Sequence, residues 1–141
     1  MLIIKRTFKD SIIAVSSLLV VVAAFMFTAW RSEISEKNQN LRMAGFEILK
    51  NLGELQIVVN YAHFQADNML GNPYLGWGHI ALVSDLSQLM PDPVPETIQK
   101  LIVVWRTEAN QLKMSEEAAN RVSQQIDASR HEVLKSILSL R

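Results

Sequence analysis

SIIAVSSLLVVVAAFMFTAW, residues 11–30, separates Asp10 from Arg31 without one charged side chain. Sixteen of its twenty residues are apolar; the others are Ser11, Ser16, Ser17 and Thr28. At about 1.5 Å of rise per residue the run covers roughly 30 Å, the thickness of a bilayer's hydrocarbon core. In lipid every backbone polar group must be bonded within the segment, which makes the run a helix. The sequence therefore predicts a membrane anchor that opens at Ser11 and closes on the interfacial pair Trp30 and Arg31.

A cleaved signal peptide is the competing reading. Lys5, Arg6 and Lys9 form a basic leader, and Val22-Ala23-Ala24 has the small residues of a cleavage site. The apolar run continues past Ala24 through Phe25, Met26, Phe27 and Trp30, beyond the usual extent of a signal core, which favours a retained anchor. Basic residues are densest on the N-terminal flank, so residues 1–10 are expected to be a cytoplasmic tail and the rest extracytoplasmic. In a bacterium that places the anchor in the inner membrane and residues 31–141 in the periplasm.

Beyond the anchor the chain carries eleven Lys/Arg against thirteen Asp/Glu, a formal balance of −2. That balance offers no basic face for nucleic acid. The absence of cysteine excludes disulfides, thiolate metal sites and a cysteine nucleophile.

All four prolines fall in Gly71-Asn72-Pro73 and Pro91-Asp92-Pro93-Val94-Pro95. These turn signals divide the remainder into helices expected at about 32–70, 73–90 and 95–140. In the first, Leu41, Gly45, Ile48, Leu52, Leu55, Val59, Ala62, Ala66 and Met69 recur at spacings of four and three, a heptad seam. Phe46, Leu49, Ile57, Val58, Tyr61 and Phe64 widen the apolar surface beyond that seam, as packing in a bundle requires. In the second, Asn72 is suited to cap and Pro73 to the first helical position. Gly76 and Gly78 weaken its opening, so a firm start near His79 is expected. In the third, Asp92 is the expected cap, and Ile98, Trp105, Leu112, Ala119, Ile126, Val133 and Leu140 recur every seven residues. One long helix is the simplest reading, with a break at Ser115 as the variant that yields a fourth helix. No segment alternates as a strand would. The expected fold is all-α: one transmembrane helix followed by an extracytoplasmic bundle of three or four helices with coiled-coil-like segments.

Chemistry is sparse. His63 and Asp67 stand four apart, a spacing found among metal ligands, but two groups do not make a site. Neither nucleotide-binding glycine fingerprint is complete, and no nucleophile elbow or zinc-protease motif is present. No cofactor and no catalytic or metal residues are expected. The most distinctive stretch outside the anchor is GNPYLGWGH, residues 71–79, with aromatics of the kind favoured in binding hot spots. Tyr61, Tyr74, Trp77, His79 and Trp105 are the candidate contacts for a partner or ligand.

In general plan the chain resembles the input half of bacterial helical-bundle sensors and small bitopic scaffold subunits of envelope machines. It departs from the sensors in ending at Ser139-Leu140-Arg141 without a second membrane helix. The expected function is a non-enzymatic accessory or scaffold subunit, acting through helix–helix contacts with itself or with a protein complex at the bilayer. The alternative is an extracytoplasmic ligand-sensing module that works with a separate signalling partner.

Overall fold

The computed structural model describes the backbone of residues 2–140 and the side chains of residues 13–140. Four α-helices run in chain order: α1 (Leu2–Phe64), α2 (Pro73–Ser87), α3 (Val94–Glu108) and α4 (Glu116–Ser139), with a 3-10 turn at Ala109–Gln111. No strand occurs among the described residues. The chain divides into two units, residues 1–37 and residues 38–141.

Residues 2–37 of the first unit lie within α1, so the described part of the stretch expected as a tail is helical up to the anchor. Ser11 lies in this helix, but its side chain is outside the described ones. From Ile13 to Trp30 every described side chain is exposed, and the most apolar 18-residue window has a mean hydropathy of 2.2. This helix is long and apolar enough to cross a membrane. Its hydroxyls turn inward: Ser16 and Ser17 donate to the Ile13 carbonyl at 2.9 and 2.6 Å, and Thr28 donates to Ala24 at 2.9 Å. Each is thereby bonded within its own helix, as apolar surroundings demand.

The second unit is built on one core. The expected seam supplies α1's share, with Ile48, Leu52, Leu55, Val59 and Ala62 all buried. Against it pack Ile80 and Val83 of α2, Ile98, Leu101 and Trp105 of α3, and Val122, Ile126 and Val133 of α4. The hydrogen bonds fix directions. Arg42 Nη2 donates to the Leu140 carbonyl at 2.6 Å, and Gln56 Nε2 donates to Ser123 Oγ at 2.9 Å, so α4 runs antiparallel to α1. Gln125 Nε2 reaches the Thr97 carbonyl, and Arg121 reaches Glu108, so α4 also opposes α3.

Three boundaries differ from the expectation. The first helix ends at Phe64 and not near 70, so Ala66 and Met69 leave the seam and are exposed. Ala66 takes a left-handed conformation, φ 49°, and the Asp67 carboxylate accepts the N–H groups of Met69 and Leu70 at 2.7 and 2.9 Å. This local capture replaces the helical ladder. The second helix begins at Pro73, as the Asn72-Pro73 signal predicts, but its opening turn is helical where the glycines ahead of His79 predict a loop, because Asn72 Oδ1 accepts the Tyr74 N–H at 3.0 Å and caps it.

The segment expected as one helix over 95–140 is two, α3 and α4. Ser115 is extended (φ −126°, ψ 109°), and its hydroxyl accepts the Ala118 N–H at 3.1 Å, capping α4. The fold-back lets both halves bury their apolar stripes on the same core. Asp92 caps nothing; Pro93 is the residue before α3 and makes no side-chain capping bond.

Candidate interaction surfaces

Several of the polar groups that could carry chemistry are bonded within the fold. His63 Nδ1 lies 2.9 Å from the Leu112 carbonyl, which can only accept, so Nδ1 holds the proton. The bond ties the end of α1 to the α3–α4 connection. Asp67 is not on a helix, so its spacing from His63 no longer implies a shared face. The N–H groups of Leu70 and Met69, with Lys113 nearby, hold its carboxyl below the usual carboxylate range. Among the described residues, no three His, Asp or Glu side chains converge as metal ligands would.

His79 is half-buried. Its Nδ1 lies 3.0 Å from Asn51 Oδ1, and the Asn51 amide nitrogen is committed to the Glu47 carbonyl at 2.9 Å. The amide oxygen therefore faces the imidazole, and Nδ1 donates. The third polar cluster joins α3 to α4. Arg121 Nε and Nη2 grip the two Glu108 carboxylate oxygens at 3.0 and 2.9 Å. The hydrogen bond to Glu108, aided by the charge of Glu117, raises the Arg121 pKa further above its ordinary value.

The five candidate contacts do not share one pocket. Trp105 is wholly enclosed, and its six-membered ring lies against Gly76 of α2. Tyr61 and His79 are half-buried on different helices. Trp77 is partly exposed, and Tyr74 is 84% exposed.

Among the described residues of the second unit, two open apolar surfaces stand out. One is at the end of the second unit where α1 stops. There the 65–72 and 109–115 connections meet, with Lys113 Nζ bonded to Asn68 Oδ1. Phe64 is 77% exposed, Met69 80% and Met114 94%. Tyr74 and Leu70 stand beside the same connections. Periodicity sets Met69 on the core seam and Met114 inside a helix; the helix ends turn both outward. The other surface is the side of α1 away from the core, where Met43, Phe46 and Ile57 are exposed.

Comparison with protein families, characterised proteins and solved structures finds no match to this chain.

Proposed function

We propose that the chain is a single-pass membrane protein, anchored by residues 11–30, whose residues 38–141 form an antiparallel helical bundle outside the cytoplasm. In a bacterium the membrane is the inner one and the bundle lies in the periplasm. The protein acts there as a non-enzymatic accessory or scaffold subunit, through contacts of its helices with protein partners. The observation that carries this reading is the apolar surface of α1, on which every described side chain from Ile13 to Trp30 is exposed. Exposure of that much apolar surface to water opposes solubility at about 25 cal/mol per Å². A bilayer removes the cost, and the inward-turned hydroxyls of Ser16, Ser17 and Thr28 suit it. The polar side chains of the bundle support the same reading, since Glu108, Asn51, His63 and His79 are each engaged in bonds between or within helices.

Alkaline carbonate extraction and protease accessibility test it together. The full chain is expected to stay in the membrane pellet, and externally added protease is expected to digest the bundle in spheroplasts with intact membranes. Release by carbonate at full length, or protection of the bundle until the membrane is opened, would reject the anchor or its orientation.

A further inference from the structure

The outward side of α1 carries a second heptad. Met43, Phe46, Lys50, Gly53, Ile57, Asn60 and Phe64 follow at spacings of three and four, a and d positions in alternation. They lie opposite Ala44, Ile48, Leu52, Leu55 and Ala62, which face the core. Of its apolar members, Met43 and Phe46 are each 58% exposed, Ile57 46% and Phe64 77%. Gly53 fits the same row. A helical glycine costs about 1 kcal/mol relative to alanine, and beyond the helix's own neighbouring backbone no described atom lies within 4 Å of where its Cβ would be. Nothing inside the protomer calls for a glycine there, whereas a second helix crossing at close range does.

We infer that this row is a self-association seam, and that its occupant is α1 of a second copy in parallel register. Charge selects that occupant. In a parallel pair each g position faces the e position five residues on in the partner helix. Arg42 at g, whose Nη2 also donates to the Leu140 carbonyl of its own protomer, then meets Glu47 at e, twice by symmetry; Leu49 and Gln56, which lie against the protomer's own core and Ser123, meet Glu54 and Tyr61 without like charges. An antiparallel pair would set the e rows together, and Glu47 and Glu54 sit in that row with no basic residue. Lys50, the charged a residue, is held by Glu47 of its own helix at 3.2 Å. A single Lys or Asn at a typically fixes register at some cost in stability.

The parallel direction rests on the anchoring proposed above, since two copies anchored in one membrane by residues 11–30 leave it on the same side. The seam's exposed apolar side chains are Met43, Phe46, Ile57 and Phe64, and the largest apolar patch on an ordinary monomer is itself roughly 300–600 Å². A standard interface needs about 800 Å² per partner. Confinement to one membrane raises the effective concentration and makes so small a seam sufficient.

The chain has no cysteine, so single-cysteine variants of the full protein report cleanly. Met43→Cys and Ile57→Cys are placed on the seam; Val103→Cys on α3 and Asp127→Cys on α4 are exposed controls. Treated in isolated membranes with a short bismaleimide, the seam variants are expected to give a product of twice the chain mass, several-fold above the controls. Arg42→Glu or Glu47→Arg, added to Ile57→Cys, lowers that yield several-fold, and the two together restore it. Equal yields at all four positions, no dimer from the seam, a product of another mass, or no restoration by the double exchange each overturn the inference. Carbonate extraction of the same membranes judges the anchor separately. If the chain is released, the anchoring reading fails and the parallel seam that rests on it is overturned with it; if the chain is retained, the cross-linking yields alone decide the seam.

Discussion

A methyl group added at Gly76 would overlap Cζ2 of Trp105, far inside contact distance. The residue that looked like a helix weakener is thus the floor on which the core's largest side chain rests. Gly76→Ala is expected to destabilise the fold by about 1–3 kcal/mol through overpacking. Trp105→Leu, which removes the ring, costs about 2–5 kcal/mol as a cavity. Because both act on one contact, the double variant is expected to lose less than the two singles added together, with thermal melting followed by circular dichroism as the measurement. Strict additivity would show that Gly76 and Trp105 do not meet. Asp67 gives a prediction in pH. Its carboxyl titrates below the ordinary range when folded, because the Leu70 and Met69 N–H groups bond the charged form. A lowered folded value means stability that is complete above the unfolded value and is lost as pH falls through the folded one. Asp67→Asn keeps an acceptor but not the charge. Its melting temperature is therefore expected below that of the parent at neutral pH, with the gap closing on acidification through the carboxylate range. A gap that widens in acid would contradict the assignment.

At the scale of elements, legibility followed the locality of the signal. Asn72-Pro73 could be read as a helix start because cap and first residue are adjacent, and α2 opens there. The end of α1 was not legible, since no proline or glycine marks Phe64. The stop comes from Asp67 folding back on Met69 and Leu70, a competition that composition does not reveal. The division of α3 from α4 was hidden differently. Leu112 and Ala119 are both buried, so the seven-residue recurrence passes through the turn without a missed beat. Ser115 offered the sole local hint, and its hydroxyl does cap α4. Ser115→Ala is expected to cost about 1 kcal/mol. Amide exchange at Ala118 should rise with the loss of its partner, by more than in the middle of α4. Unchanged exchange there would show that the cap does not hold the α4 start.

For the molecule as a whole, the sequence by itself determined the helical class and the apolar segment long enough to cross a membrane. Both follow from composition and period within one stretch of chain, and a helix satisfies its own backbone wherever it lies. The core face of α1 was legible for the same reason, because Ile48, Leu52, Leu55 and Val59 share one angle around the axis. What lay beyond the sequence was which neighbour each remaining face meets. Tyr61, Tyr74, Trp77, His79 and Trp105 looked alike as candidate contacts. The tertiary structure seals Trp105 under Gly76, bonds His79 to Asn51 and leaves Tyr74 open. It likewise leaves Phe46 and Ile57 uncovered while burying Val58 beside them. Periodicity fixes angles around a single helix; where the other helices stand around it depends on the turns at 65–72 and 109–115 and on how side-chain volumes fit, and only the assembled fold decides that.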